Sequence, residues 1–247
     1  MYDLIIFDLD GTLAPSKSPM GEDMARLLEK LLERTKVVVI SGGSLAQFEK
    51  QFLASLNISQ EKMNRLFIAP TSGSSFYRFL NGEWSEVYAK NLSESEKNKI
   101  KEAFDYALPK GDYKYPEEPY GEIIEDRGSQ ISFSALGQQA PLEIKSKWDP
   151  EKNKRRKIIK YLSEKLPDFE VRIGGTSTID VTHKGIDKAY GIRKISLELD
   201  IPIKNMLFVG DALFEGGNDD VVKKTGIRCH AVKNPEETKK MLLEFLD

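Results

Sequence analysis

The stretch Leu4-Ile5-Ile6-Phe7-Asp8-Leu9-Asp10-Gly11-Thr12-Leu13 decides the fold class. Four apolar residues in a row read as a short strand buried on both faces, as in a parallel sheet. Two carboxylates follow, Asp8 and Asp10, and Gly11 breaks the strand. Side chains two apart in an extended segment share a face, so both carboxylates converge just past the strand's carboxyl end. Open α/β sheets bind ligands at that edge. Like charges held so close call for a cation or a shared proton. A divalent metal with oxygen ligands supplies that relief, and Mg²⁺ commonly takes one or two carboxylates together with a substrate phosphate. Asp-x-Asp-Gly is also a common plain turn, its aspartates bonded to the backbone. The rest of the chain separates the two readings.

With 247 residues there is material for one large domain or two modest ones. Basic and acidic residues nearly balance, 37 against 39, which favours neither a nucleic-acid partner nor an acidic tail. The first residues form neither an n-region nor an h-region, and no apolar run approaches membrane length, so no membrane partner is expected. One cysteine, Cys229, excludes an internal disulfide and suits a reducing, cytoplasmic setting. With His183 and His230 as the two histidines, a His-based zinc site or a Ser-His-Asp triad is poorly supplied. Catalysis has to run on carboxylates.

Outward from the first strand, buried-strand segments recur at Val37–Ile40, Leu66–Ile68, Met206–Val209 and Ile227–Val232, separated by amphipathic helices. Val37–Ile40 ends in Ser41-Gly42-Gly43. Ser44 with Gln47 then forms an S-x-x-Q capping box opening the next helix. A hydroxyl and a Gly-rich turn at a helix N-terminus suit an anion held on backbone N–H groups. Beyond Gly82 the rhythm changes. Ser93 with Glu96 caps a helix to about Leu108, and alternating strands follow at residues 122–127 and 130–135. A charged helix spans 150–166, then strands at 170–173 and 178–182. Helix–strand–strand twice over makes a four-stranded antiparallel sheet with two helices on one face and a polar face open to water or substrate. This reads as a domain at residues 86–184 inserted into a core formed by 1–85 and 185–247. The basic run Lys152–Lys157, with Arg155 and Arg156, reads as a solvated helix face, and Cys229 as a small buried hydrophobe.

Three apolar strands thus hand polar residues to one sheet edge: Asp8 and Asp10, then Ser41, then Asp211. Lys188 stands at the start of a helix between the last two, and Gly216-Gly217-Asn218-Asp219 opens another helix. Two aspartates on one strand, a third from another, a hydroxyl and a lysine make a phosphate-and-magnesium site.

On these motifs the chain resembles the haloacid-dehalogenase (HAD) superfamily of phosphotransferases: DLDGT at 8–12, Ser41, Lys188, and the acidic loop from Gly210-Asp211 to Asn218-Asp219. The insertion falls where the family's type IIB (C2B) cap sits. The resemblance implies an α/β fold with a Rossmann-like parallel-sheet core and an inserted α+β cap. Within the class, the Val-Val-Ile-Ser-Gly-Gly-Ser segment, the GDALFEGGND loop and Gly-Ile-Asp-Lys are most similar to the eukaryotic-type phosphomannomutases. The resemblance further implies an aspartyl-phosphate mechanism, with Asp8 as nucleophile, Asp10 as general acid/base, and Ser41 and Lys188 on the transferring phosphoryl group. Mg²⁺ is implied as cofactor, its site drawn from Asp8, Asp10 (through its backbone carbonyl) and Asp211, with Asn218 and Asp219 orienting Lys188 and the metal waters. Gly42, Gly43 and Lys17 in the core, and Arg127, Thr178 and Asp180 in the cap, are implied substrate contacts. Gln138 and Lys145 stand where two further cap arginines of the mutases are expected, and Lys17 where a core arginine is expected. Losing forked guanidinium contacts weakens phosphate recognition. The expected activity is therefore a Mg²⁺-dependent phosphatase or phosphotransferase on a sugar phosphate, with phosphomannomutase as the alternative. A phospho-accepting signalling domain also carries an aspartate cluster at a sheet edge, but lacks the second aspartate two residues on and an inserted cap. A homodimer through the cap is common among the resembled mutases.

Overall fold

Strand β1 (Leu4–Asp8) is buried at every position, as its apolar run requires. The computed structural model describes residues 2–247 and divides them into two compact units, the first ending at Ala89 and resuming at Asp187–Asp247, the second comprising Lys90–Ile186. In the first unit, helix α1 (Glu22–Arg34) buries Met24, Ala25, Leu28, Leu31 and Leu32. Strand β2 (Lys36–Ile40), helix α2 (Leu45–Gln51), the single turn α3 (Gln60–Met63) and strand β3 (Leu66–Ala69) follow. A short turn, α4 (Pro70–Gly73), holds Thr71 and Ser72 in left-handed conformations. Next comes an antiparallel hairpin, β4 (Ser75–Leu80) and β5 (Glu83–Ala89). Its link, Asn81-Gly82, has positive φ at both residues, the geometry that this dipeptide favours in hairpins. The domain boundary expected at residue 86 falls inside β5, which pairs with β4 in the core sheet up to Ala89.

The second unit begins with α5 (Glu94–Lys110), entered through the expected capping box: Glu96 N–H donates to Ser93 Oγ (3.3 Å) and Ser93 N–H to Glu96 Oε2 (2.7 Å). Strands β6 (Ile124–Asp126) and β7 (Gln130–Ser134), helices α6 (Leu142–Trp148) and α7 (Asn153–Lys165), and strands β8 (Phe169–Ile173) and β9 (Thr178–His183) complete it. The strands form a four-stranded antiparallel sheet in the order β6-β7-β9-β8. Ile131, Phe133, Ile179 and Val181 from one face join Ile100 and Phe104 of α5 and Ile158 and Leu162 of α7 in a single core. Helix α6 was not foreseen. The basic run is solvated at Lys152, Lys154, Arg156 and Lys157, as expected, but is corrected at Arg155, which is 2% exposed. Arg155 pairs with buried Asp149 at 3.0 Å and donates to the carbonyl of Gly175 at 2.6 Å, which satisfies a charge that burial would otherwise penalise.

Back in the first unit, α8 (Lys188–Glu198) is capped by Asp187, which accepts from the Tyr190 N–H at 2.8 Å. Strand β10 (Met206–Gly210) is fully buried. The helix expected after Asp219 is a 3₁₀ segment, Asp220–Thr225, ended by left-handed Gly226. Strand β11 (Arg228–Ala231) and α9 (Pro235–Leu246), capped by Asn234, close the unit. The seven-stranded sheet runs β11-β10-β1-β2-β3-β4-β5, with β1 in its interior and parallel to both neighbours. Strand β11 is an exposed edge, so Cys229 is exposed rather than a buried hydrophobe. No described helix is long and apolar enough to cross a membrane.

Candidate active site

Sheet register brings the polar residues level. Phe7 pairs with Val209 on one side and Val39 on the other, so Asp8, Ser41 and Asp211 emerge at the same edge. Lys188, the first residue of α8, sends its ammonium to Asp8 Oδ1 and to Asp219 Oδ1, the latter at 2.5 Å. All three side chains are buried. The second Asp219 oxygen accepts from the Ala212 N–H at 3.2 Å. Two glycines make room for these carboxylates. A Cβ on Gly210 would lie 2.4 Å from Asp219 Oδ2, and one on Gly11, whose φ is +85°, 2.5 Å from Asp211 Oδ2.

Burial pushes Asp8 well above the ordinary carboxylate range, against the pull of Lys188. Burial also raises Asp211, with Asp219 adding to the effect. For Lys188, burial pulls downward, but Asp219 and Asp8 more than offset it and hold the ammonium above its usual range. The carboxylates of Asp8, Asp211 and Asp219 each bring an oxygen within 4.8 Å of the others. Three acids gather around one ammonium, which bonds Asp8 and Asp219, so the cluster carries excess negative charge and an all-oxygen donor set. Both properties fit a hard divalent cation such as Mg²⁺.

Asp10 turns elsewhere. Its Oδ1 accepts from the backbone N–H of Lys17 at 2.6 Å and from Gln51 Nε2 at 2.9 Å; its Oδ2 accepts from Gln47 Nε2 at 3.3 Å. Its carboxylate therefore lies outside the acidic triad, which leaves its backbone carbonyl as the group that the sequence resemblance assigns to the metal. Asn218 is exposed. Ser41 is buried, and its hydroxyl accepts from the Gly43 N–H at 3.1 Å, tightening the Ser41-Gly42-Gly43 turn. Left-handed Ser72 and Thr71 brace that turn, donating to the carbonyls of Ser41 (2.8 Å) and Gly43 (2.9 Å). The capping box expected from Ser44 and Gln47 is replaced: Ser44 is the N-cap residue of α2, but the Gln47 amide reaches Asp10 and Gln51. Gly43 lets it pass, since a Cβ there would lie 2.4 Å from Gln47 Oε1.

Within the second unit, Arg127 donates to Glu125 at 2.7 Å and to Gln138 Oε1 at 3.2 Å, while the Lys145 ammonium reaches the Gln138 carbonyl at 2.8 Å. Gln138 and Lys145 therefore sit together beside Arg127. Thr178 and Asp180 lie two apart on β9, and Ser132 from β7 donates to Asp180 Oδ1 at 2.6 Å. A Cβ on Gly174 would stand 2.2 Å from Thr178 Oγ1 and 2.5 Å from Asp180 Oδ2.

The family model for eukaryotic phosphomannomutase matches residues 24–247, nearly the whole chain. The chain belongs to the eukaryotic phosphomannomutase family. Among curated phosphomannomutases, that of Encephalitozoon cuniculi is 30% identical over 242 residues, covering 95% of this chain and 90% of the relative. The phosphomannomutase of Saccharomyces cerevisiae is 26% identical, covering 99% and 94%. The fold has counterparts in HAD phosphatases. The C-terminal domain of trehalose-6-phosphate phosphatase from Candida albicans superposes with a TM-score of 0.65 at 19% identity, over 98% of this chain and 92% of that one. IMP-nucleotidase of Plasmodium falciparum in its N-terminally truncated, IMP-bound form gives 0.71 at 16% identity, over 99% and 68%. The chain is thus a HAD-superfamily enzyme of the phosphomannomutase family.

Sequence reasoning missed Gln51, buried at 3% exposure on the inner face of α2. The available signal was a pair of glutamines at i and i+4, Gln47 and Gln51, interleaved with the apolar Phe48 and Phe52.

Proposed function

We propose that the chain is a phosphomannomutase, moving a phosphoryl group between the 1- and 6-positions of mannose phosphate. The observation that carries the mutase reading is the phosphomannomutase family match over residues 24–247, and the division of labour between Asp8 and Asp10 supports the phosphoryl transfer it requires. Asp8 is held against Lys188 at the sheet edge, and Asp10 is held by amide donors two residues on. In the first half-reaction an Asp8 oxygen bonds to phosphorus as the bond from phosphorus to the sugar oxygen breaks, and Asp10 gives its proton to that leaving oxygen. In the second, Asp10 takes the proton of a hydroxyl on an incoming sugar monophosphate, which attacks phosphorus and frees the Asp8 carboxylate; the bisphosphate so formed gives its other phosphoryl group back to Asp8, so a hexose 1,6-bisphosphate primes the cycle. Lys188 and Ser41 stabilise the phosphoryl oxygens, chiefly electrostatic work. Bound Mg²⁺, held by Asp8 and Asp211 with Asp219 alongside, would offset the charge between nucleophile and phosphate. The second unit, Lys90–Ile186, serves, on this proposal, as the specificity domain, with Arg127, Thr178 and Asp180 holding the sugar phosphate.

A phosphorus NMR time course on mannose 1-phosphate with Mg²⁺, with and without a hexose 1,6-bisphosphate, tests the reading. Growth of a 6-phosphate signal dependent on the bisphosphate is the expected result. Free phosphate alone would replace the mutase by a sugar-phosphate phosphatase. That second reading is favoured by one observation, that Gln138 and Lys145 lack the forked donors of arginine beside Arg127.

A further inference from the structure

Asp10 Oδ1 takes two close N–H bonds, 2.6 Å from the Lys17 backbone and 2.9 Å from Gln51, whereas Oδ2 takes a longer one, 3.3 Å, from Gln47. Gln51 is itself fixed. It is buried, its Oε1 accepts from Gln47 Nε2 at 2.9 Å, and its Nε2 also reaches the Pro15 carbonyl at 3.5 Å. Gln47 is half-buried on the next turn of the same helix. The two amides therefore form a chain from Gln51 through Gln47 to both oxygens of one carboxylate. Accepted N–H bonds occupy the lone pairs a proton would need. We propose that Gln51 and Gln47 are positioning residues for proton transfer. Gln51 pins Oδ1 and so dedicates Oδ2, under the looser Gln47 contact, to the oxygen of the sugar. The inference deepens the function proposed above and rests on Asp10 as its acid/base.

A carboxylate misaligned by an ångström loses much of its value as an acid, while a leaving group that needs no proton is indifferent to it. The test compares mannose 1-phosphate, whose leaving oxygen is a poor leaving group, with 4-nitrophenyl phosphate, whose phenolate departs unaided. In both, phosphoryl transfer to Asp8 is followed with Mg²⁺ present. Gln51→Met keeps the length and removes the donor; Gln51→Glu keeps the shape and sets an acceptor against an acceptor. The expected result is a fall of about 100-fold in the rate of Asp8 phosphorylation by the sugar phosphate, with the first release of 4-nitrophenolate, which reports the same step on the aryl ester, within about threefold and the thermal midpoint little changed. Gln47→Met, at a half-buried position, is expected to give the same selectivity with a smaller fall, and serves if Gln51 variants do not fold. Equal losses on both substrates, or no loss on either, would overturn the positioning role while leaving the phosphotransferase reading intact. A wild-type protein that turns over neither substrate would sink both.

Discussion

Arg155 and Asp149, each no more than 3% exposed, meet at 3.0 Å inside the second unit. Two backbone amides, those of Lys154 and Arg155, also donate to the Asp149 carboxylate, and Arg155 bonds the carbonyls of Gly174 and Gly175. Asp149 is lowered from the usual carboxylate value: burial pushes it up, but the Arg155 bonds and the Lys154 amide outweigh that. The pair pins the Gly174-Gly175 loop that leads into Thr178 and Asp180. Arg155→Met leaves a buried carboxylate uncompensated and should cost about 3–5 kcal/mol in urea unfolding. Asp149→Leu with Arg155→Met should recover part of that loss, and a double variant as unstable as the sum of the singles would refute the coupling.

Lys188 is the ammonium shared by Asp8 and Asp219. Lys188→Met should lower turnover by roughly 100-fold or more, since preorganised charge is removed from the phosphoryl oxygens. Thermal unfolding of the metal-free variant near pH 7 should also begin lower, because three acids then face one another without a cation. An unchanged rate would remove Lys188 from the phosphoryl site.

Asp8→Asn separates chemistry from stability. Burial disfavours the Asp8 carboxylate, so the amide should leave the thermal midpoint equal or higher while abolishing turnover and phosphoenzyme formation. Incubation with labelled substrate, acid quench and gel analysis would read this directly. Label retained on the variant would show that Asp8 is not the nucleophile.

Gly210→Ala tests the fit beneath Asp219. A Cβ there would lie 2.4 Å from the carboxylate and 2.7 Å from the Phe208 ring, so something must shift. On the proposed function, the expectation is weaker Mg²⁺ binding, seen as a rise of tenfold or more in the half-saturating metal concentration, with the fold kept. An unaltered metal titration would mean that Asp219 tolerates displacement.

Glu96 gives the second unit an acid-sensitive cap. The Ser93 amide and hydroxyl, then His183, hold its carboxyl at about 2 in the folded chain. An unfolded glutamate titrates near 4.3. A folded value below the unfolded one means stability that is present above about pH 4.3 and lost as pH falls toward 2. Glu96→Gln should flatten the pH dependence of the unfolding midpoint across that window. Parallel curves for variant and wild type would disprove the contribution.

Much of this was legible in the sequence because it rests on period and punctuation. The unbroken apolar runs at Leu4–Phe7, Val37–Ile40 and Met206–Val209 can only be buried strands, and each ends on a polar residue. The capping boxes illustrate both success and failure. Ser93 and Glu96 form theirs because the other partner of Glu96, His183, takes Oε1 and leaves Oε2 to the cap, whereas Gln47 is drawn away by Asp10, 37 residues earlier in the chain. Arg155 reads as surface in a basic run, since its partner Asp149 precedes the helix and the carbonyls it bonds lie 19 and 20 residues later. The hairpin at Ser75–Ala89 carried its Asn81-Gly82 signal, but partial burial on β5 blurs the alternation. The Gln47 and Arg155 contacts escaped because distant partners decide them, and the hairpin because burial on β5 does not alternate.

The pairing of Asp8 with Lys188 also bears on biosynthesis. The two residues are 180 positions apart, and β1 rests between a strand made early and one made late. At ribosomal rates of about 5–20 residues per second, roughly ten to forty seconds separate their emergence. During that interval β1 has one open edge and its terminal carboxylate has no cation. The intervening residues 90–186 contain their own core and have time to fold first. The catalytic edge is then among the last features to assemble, so a nascent chain stalled before residue 188 would expose an apolar strand edge to chaperones or to aggregation.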